Sequence, residues 1–178
     1  MRVSNLKKER EFIAIGFGVL TVSDSRDLAS DNSGALLEKN VIEAGHRLVE
    51  RRIVPDDKVE IQKLLKLWIE ANSIDVILTT GGTGLTGRDM TPEALDEVAD
   101  KNIPGFGEVF RTISLKTVGT SSIQSRACAV LANGKYVFAL PGSSGGVTDA
   151  WDKILVHQLD INHKPCNFVE LFPRLKEK

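Results

Sequence analysis

The sequence lacks an excess of charge of either sign. Its 178 residues carry 23 Lys and Arg against 24 Asp and Glu, which leaves a net charge of −1. Proteins that bind nucleic acid or anionic membranes usually present a strongly basic surface, so the composition favours neither kind of partner. Any anion-binding site must be local, and the partners expected are small molecules or other protein chains.

Cysteine and long apolar runs are also scarce. The two cysteines, Cys128 and Cys166, belong to no CxxC motif, so we expect no disulfide framework and a reducing compartment. No apolar run approaches the ~18 residues that cross a membrane. Residues 1–11 are charged and lack the apolar stretch of a secretory signal. Together these features predict a cytoplasmic protein with a polar N-terminal arm over residues 1–11.

The apolar residues that are present, 42% of the chain, suffice for one globular domain. Apolar runs predict strands over residues 12–22, 46–54, 74–80, 127–131 and 136–140. Amphipathic segments predict helices between them and after the last strand. This alternation predicts a three-layer α/β/α domain over residues 12–161, with a mostly parallel sheet and one antiparallel hairpin strand. Residues 162–178 are expected to form a C-terminal tail.

Several local signals set the expected ends of these elements. Ser33 is expected to cap the first helix and Gly45 to end it. Thr91 and Pro92 are typical of a helix start. We expect residues 104–107 (Pro-Gly-Phe-Gly) to break that helix, with a short helix after them, and Asn133-Gly134 to form a hairpin turn.

Three polar or glycine-rich loops follow predicted strands, over residues 23–27, 81–89 and 141–146. In an open parallel sheet, ligands bind outside the carboxyl ends of the strands. The second and third loops also precede helix starts, where backbone N–H groups and the helix dipole attract anions. The glycines could instead serve only tight turns, but two such loops at equivalent strand ends favour an anion site.

Two nucleotide-binding motifs fail against this sequence. Residues 82–87 match GxGxxG, but the expected helix start is delayed to Thr91. The acidic residue that should follow ~20 positions later falls in residues 104–108, where no strand is expected. No Gly-Lys-Ser/Thr follows the glycines, so a P-loop is also excluded.

Asp89 lies inside the second glycine loop, directly after Arg88. A carboxylate beside an anion site suggests a metal that bridges phosphates, and magnesium favours one or two carboxylates plus substrate phosphates. Asp56 or Asp57, after the second strand, could supply a second carboxylate at the same sheet edge. From the residues alone, a turn role after Pro55 is the better interpretation of Asp56.

Taken together, these motifs resemble the signature of the MoaB/MogA family of molybdenum cofactor biosynthesis. The resemblance covers roughly residues 13–166. It is carried by Thr79-Thr80-Gly81-Gly82-Thr83-Gly84, Arg88-Asp89, Thr91-Pro92-Glu93-Ala94, Pro104-Gly105-Phe106-Gly107-Glu108, Ser125-Arg126 and Leu140-Pro141-Gly142-Ser143. Residues 119–121 (Gly-Thr-Ser) and 165–168 (Pro-Cys-Asn-Phe) resemble the MoaB branch in particular.

The resemblance implies a MogA-like molybdopterin-binding fold and a magnesium-dependent reaction. In that reaction ATP and molybdopterin give adenylyl-molybdopterin and pyrophosphate. By position, the catalytic acids are Asp56 and Asp89, with Asp89 as the Mg²⁺ ligand, so the resemblance overrules the turn role of Asp56. It also implies a homotrimer or homohexamer. A non-catalytic molybdopterin carrier or scaffold, or a binder of unrelated nucleotides, remains an alternative.

The backbone amides of the two glycine loops are expected to hold phosphates, and the first polar loop is expected to contact the pterin. The candidate substrate- and phosphate-binding residues are Ser23, Asp24, Arg26, Thr80, Gly81, Gly82, Thr83, Gly84, Arg88, Pro141, Gly142, Ser143 and Ser144.

Overall fold

A computed structural model describes residues 10–177, so most of the predicted N-terminal arm, residues 1–9, lies outside the described residues. The strands are β1 (Gly16–Val22), β2 (Arg47–Val54), β3 (Val76–Thr80), β4 (Lys101–Asn102), β5 (Cys128–Ala132) and β6 (Lys135–Leu140). The α-helices are α1 (Asn32–Glu43), α2 (Lys58–Glu70), α3 (Thr91–Asp96), α4 (Pro104–Val118), α5 (Ser144–Ala150) and α6 (Val156–Gln158). A π-helical turn, Trp151–Leu155, joins α5 to α6, and 3₁₀ turns cover Gly119–Gln124 and Val169–Arg174.

The six strands form one sheet in the order β2-β1-β3-β6-β5-β4. Strands β2, β1, β3 and β6 are parallel, and β5 runs antiparallel to both of its neighbours. This confirms the predicted α/β class and its antiparallel hairpin strand. Among residues 10–177, no helix combines the length and hydropathy that a membrane crossing requires.

Side chains along the central strands alternate between the two faces of the sheet. Phe17 and Val19 of β1 pack with α1, α4 and α5, whereas Leu20 and Val22 pack with α2 and α3. Strand β6 repeats the pattern, with Phe138 on the first face and Val137 on the second. Because both faces are covered, the strands read as continuous apolar runs, as buried parallel strands do.

The start of α1 differs from the prediction. The cap is Asp31, whose carboxylate accepts a hydrogen bond from the Gly34 N–H at 2.9 Å, and Ser33 lies inside the helix. Asp and Ser are about equally good caps, so the sequence alone did not separate them. Tertiary contacts select Asp31, because Thr21 donates to its carboxylate at 2.7 Å and Arg51 donates to it at 2.9 Å.

Two other helix starts also differ. Thr91 is the first residue of α3 rather than its cap, and its hydroxyl donates to the Gly81 carbonyl at 2.8 Å. Residues 104–107 begin α4 instead of breaking a helix. A proline at the first helical position costs no hydrogen bond, since that N–H has no partner inside the helix. The unexpected two-residue strand β4 separates α3 from α4.

The turn predictions are confirmed. Asn133 (φ 46°) and Gly134 (φ 75°) both adopt positive φ, the conformation of a type I′ hairpin turn. Gly45 (φ 83°) follows α1 and ends it.

At the C-terminus, Val169 is buried in the core and Phe168 packs on Tyr136, with ring centroids 4.6 Å apart. The segment predicted as a tail therefore contributes to the core.

A buried histidine makes stability depend on pH. The Nδ1 atom of His46 accepts a hydrogen bond from the Ile15 N–H at 3.3 Å. Burial lowers the pKa of His46 below its ordinary value of 6.5, and the charge of Asp160 only partly opposes this. The unfolded chain therefore takes up a proton before the folded chain does, so the contribution is complete above pH 6.5 and declines as pH falls toward the folded pKa.

We expect wild type to lose more unfolding free energy than His46→Gln between pH 7 and pH 5, because glutamine keeps an acceptor but does not titrate. Urea denaturation at each pH measures the difference. His157→Gln is the matched control, since it replaces an exposed histidine by the same residue and so separates the effect of the buried site from that of the substitution. Parallel pH profiles for wild type and His46→Gln would contradict the assignment.

Candidate functional site

The carboxyl ends of the parallel strands bring the predicted loops together. Val22 lies beside Val54, Thr21 lies beside Thr80, and Thr80 lies beside Leu140 in the sheet register. The segments that follow these residues start at Ser23, Pro55, Gly81 and Pro141 and therefore meet at one edge of the sheet. This juxtaposition is the one that the sequence predicted.

The two glycine-rich loops pack directly on each other. A Cβ on Gly81 (φ 102°) would overlap the Val22 carbonyl oxygen, and a Cβ on Gly142 would lie 3.3 Å from the Gly81 Cα. The Thr80 hydroxyl donates to the Pro141 carbonyl at 2.8 Å and joins the loops. Part of the glycine requirement is therefore close backbone approach, which was the simpler of the two interpretations.

The backbone amides of these loops are only partly available to a ligand. The Gly81 N–H donates to the Leu140 carbonyl at 3.1 Å, so it is committed within the protein, contrary to its expected role as a phosphate donor. Ser143 caps α5 and accepts from the Gly146 N–H at 3.2 Å. The first two amides of α5, at Ser144 and Gly145, have no intrahelical acceptor.

Asp56 is held at the centre of this edge. A Cβ on Gly82 would lie 3.0 Å from its Oδ1 atom, and its N–H donates to the Asp24 carboxylate at 3.1 Å. Oδ1 is buried and has no hydrogen-bond partner among the described residues. Burial raises the pKa of Asp56, and the charges of Asp89 and Asp24 raise it further. A hydrogen bond from the Met90 backbone and the charge of Arg88 oppose this rise only in part, so the site concentrates negative charge.

Asp89 has the opposite environment. Its Oδ2 atom accepts hydrogen bonds from the Thr86 hydroxyl at 2.6 Å and from the Thr86 N–H at 2.8 Å. These bonds lower the pKa of Asp89. The carboxylate is folded back onto its own loop, where a Cβ on Gly84 would lie 2.8 Å from it.

The remaining charged candidates contact each other. Asp24 and Arg88 form an ion pair at 2.5 Å, with both side chains largely exposed. An exposed pair of this kind adds little stability, so both groups remain available to a ligand. Thr83, by contrast, is engaged within the protein, because its carbonyl accepts a hydrogen bond from the Arg126 N–H at 3.0 Å.

Arg26 braces two loops. Its guanidinium donates to the Ser33 hydroxyl at 2.8 Å and to the Gly142 carbonyl at 3.2 Å, while its own N–H donates to the Ser23 hydroxyl at 3.3 Å. The buried Asp31 carboxylate lies 3.8 Å from the same guanidinium. Sequence reasoning assigned Arg26 to the ligand and missed Asp31, because a single acidic residue before a helix signals only a cap.

Two clefts flank the edge. One, of ≈ 490 Å³, is lined by Ser23, Asp24, Arg26 and Pro55 among others. The other, of ≈ 500 Å³, lies between the end of α4 and the start of α5. Its polar lining includes several hydroxyl groups, at Ser114, Thr117, Ser121, Ser122, Ser125 and Ser143. Each volume lies within the range of small-molecule sites.

The residues at this edge fit a magnesium ion that phosphates complete. Within residues 10–177 no group of three or more His, Cys, Asp or Glu could hold a metal ion unaided. Magnesium, however, is commonly bound by one or two carboxylates together with substrate phosphates. The unpartnered Asp56 Oδ1 atom, surrounded by further negative charge, is the kind of ligand that such an ion would satisfy.

The fold is that of an α/β domain with loops gathered at the carboxyl edge of a mostly parallel sheet. Residues 18–161 match the family model described as "Probable molybdopterin binding domain". The chain belongs to this family, and the resemblance to MoaB/MogA proteins is confirmed. It is a protein of molybdenum cofactor biosynthesis.

The most informative relatives come from the MoaB branch. Molybdenum cofactor biosynthesis protein B of Escherichia coli (strain K12) is 44% identical over 94% of this chain and 96% of its own. The same-named protein of Bacillus cereus is 44% identical over 79% and 84%. A crystal structure of molybdenum cofactor biosynthesis protein B has a TM-score of 0.85, with 38% identity, over 95% of this chain and all of that chain. The tungsten cofactor synthesizing protein MoaB from Pyrococcus furiosus has a TM-score of 0.72 and 38% identity, over 80% and 91%.

Gly82 offers a direct test of the site's geometry. A Cβ at this position (φ 63°) would collide with the Thr91 hydroxyl and crowd Asp56. We expect Gly82→Ala to cost about 1–3 kcal/mol of unfolding free energy, since it combines steric overlap with an unfavourable φ. Urea denaturation measures this cost.

Gly87→Ala is the control, because nothing lies within 4 Å of a Cβ there. That variant should be within ~0.5 kcal/mol of wild type. Equal stability of Gly82→Ala and Gly87→Ala would show that the Gly82 conformation is not required.

Proposed function

We propose that this protein adenylylates molybdopterin, using ATP and Mg²⁺ and releasing pyrophosphate. The observation that carries the proposal is the Asp56 Oδ1 atom, which is buried near acidic residues at the carboxyl edge of the sheet and has no hydrogen-bond partner within residues 10–177. Isolated buried charge is costly unless a cation or proton compensates it. A metal that also binds phosphates supplies that compensation only when substrate is present.

The substrates proposed are both anionic and of suitable size for the two clefts. Molybdopterin and ATP each carry phosphate, and the net charge of the chain provides no general attraction for them. The local attraction comes from the free amides that begin α5 and from Arg88, which stands exposed beside Asp24. These groups would bind and orient the phosphates.

The two carboxylates are proposed to have different roles. Asp56 would hold the metal through its unpartnered oxygen, and Asp89 would complete the site. The magnesium ion would neutralise charge that develops on the phosphates during transfer. Because Thr86 already occupies one oxygen of Asp89, we place the first metal contact at Asp56 rather than at Asp89.

One observation supports the alternative, a non-catalytic molybdopterin carrier. Asp89 is satisfied by hydrogen bonds within its own loop, so its carboxylate explains the loop's shape without any ligand. A carrier would bind pterin in the same clefts and release no pyrophosphate.

Pyrophosphate release from ATP in the presence of molybdopterin separates these functions. We expect release by wild type and a loss of ~100-fold or more in Asp56→Asn and Asp89→Asn, the scale on which one preorganised electrostatic contact is felt. Pterin titration should give unchanged or slightly tighter binding, because a negative charge near its phosphate is removed.

Asp57→Asn is the matched control for this experiment. Asp57 adjoins Asp56 but caps α2, accepting from the Val59 and Glu60 N–H groups, and asparagine caps helices equally well. Its rate should equal that of wild type. Pterin binding without pyrophosphate release by wild type would support the carrier, and equal rates in all four proteins would remove both carboxylates from the mechanism.

We also propose that the chain forms a homotrimer or homohexamer. Several large apolar side chains of α4 and the following 3₁₀ turn are exposed, including Leu115, Val118 and Ile123, the last at 77%. Several large exposed apolar side chains on neighbouring elements are what a protein–protein contact would cover. Light scattering at micromolar concentration should return three or six times the 19.5 kDa chain mass. A 19.5 kDa particle would contradict the proposal.

A further inference from the structure

The Arg126 side chain is hydrogen-bonded to the backbone of the loop that carries Asp89. It lies between the 3₁₀ turn Gly119–Gln124 and β5, and it lines neither of the two clefts described above. Its Nε donates to the Gly84 carbonyl at 2.6 Å, and a terminal nitrogen donates to the Asp89 carbonyl. The other terminal nitrogen forms an ion pair with Glu93 in the first turn of α3. The guanidinium thus holds both ends of the segment from Gly84 to Asp89.

Inside those ends, the loop closes on itself. The Asp89 N–H donates to the Thr86 carbonyl at 3.1 Å, and Asp89 Oδ2 receives the N–H and hydroxyl of Thr86. Residues 85–88 between the two gripped carbonyls are exposed. Since little burial holds these residues, the position of the Asp89 carboxylate depends on the short turn and on what anchors its ends.

We infer that Arg126 is the positioning residue that fixes Asp89, through carbonyl contacts to the two ends of its loop. The consequence for catalysis rests on the proposed function, whereas the consequence for loop order does not. Arg126 lines neither cleft and contacts the loop at its Gly84 and Asp89 carbonyls, so it acts through the loop, and its charge also helps to lower the pKa of Asp89. Sequence reasoning included Arg126 in the family motif but gave it no role.

The geometry requires a guanidinium rather than any positive charge. Three nitrogens in one plane reach two carbonyls and one carboxylate at once. A lysine ammonium carries the same charge on a single nitrogen and cannot reproduce this fork. Glu93 balances the charge and orients the guanidinium, so the arrangement is neutral as a pair.

Amide hydrogen exchange tests the inference without any substrate. We expect the Thr86 and Asp89 amides to exchange ~10-fold faster or more in both Arg126→Ala and Arg126→Lys, because the loop opens more often when its ends are released. Amides of β3 and β6 should keep their protection, which shows that each variant remains folded. Arg126→Lys serves as the second variant should Arg126→Ala fail to fold.

Arg111→Ala is the matched control. Arg111 also donates to backbone carbonyls, at 3.4 Å to Ser125 and 3.1 Å to Ala127 on either side of Arg126. Its contacts do not reach the loop from Gly84 to Asp89. Its loop amides should exchange as in wild type. Unchanged exchange in the Arg126 variants, or equal acceleration in Arg111→Ala, would overturn the inference whether or not the protein is an enzyme.

Chemical rescue tests the catalytic consequence. In Arg126→Ala, kcat for pyrophosphate release should fall ~10-fold or more with KM for molybdopterin nearly unchanged, since Arg126 lines neither of the two clefts proposed to bind the substrates. Added guanidinium should restore part of kcat, and methylammonium should not. Equal rescue by both cations would overturn the requirement for a fork. If wild type releases no pyrophosphate, the proposed function fails, and the exchange experiment alone decides the role of Arg126.

Discussion

The close approach of three backbones at Gly81 is the constraint on which the site depends. The chain leaving β3 passes so near to β1 that a Cβ on Gly81 would overlap the Val22 carbonyl. The loop leaving β6 lies against the same residue, with its Gly142 Cβ position 3.3 Å from the Gly81 Cα. A side chain at Gly81 would not fit, and one at Gly142 would crowd the same point. It places the starts of α3 and α5, and with them Asp89 and Ser143, around one point at the sheet edge.

That packing explains why charge accumulates where it does. Asp24, Asp56 and Asp89 follow three different strands, β1, β2 and β3. Because β1 pairs with both β2 and β3, the three segments lie at the same edge of the sheet. Burial raises the pKa of Asp56, and the negative charges of Asp89 and Asp24 add to that rise. A protein selected only for stability would avoid such an arrangement, so the cost fits a site that is completed by a cation together with anionic substrate.

The sequence predicted the fold well because its signals are local and repeated. Apolar runs bounded by glycine and polar residues mark the parallel strands, and Asn133-Gly134 marks the hairpin. The site was harder to predict from the sequence. From the residues alone Asp56 looked like a turn residue, because its burial arises only when the loop around Gly82 folds over it. Arg126 stood in the family motif without a role, since two of its partners are backbone carbonyls, which any sequence supplies.

The two candidate acids show how one residue type acquires two roles from its surroundings. Asp89 receives two hydrogen bonds from Thr86, its pKa is lowered, and its loop is anchored by Arg126. Asp56 keeps a buried oxygen without a partner, and its pKa is raised. Environments that separate the pKa values of paired carboxylates commonly separate their functions. Asp89 is therefore suited to fixing the geometry of its loop as an anion. Asp56 is suited to binding a cation that arrives with the substrate.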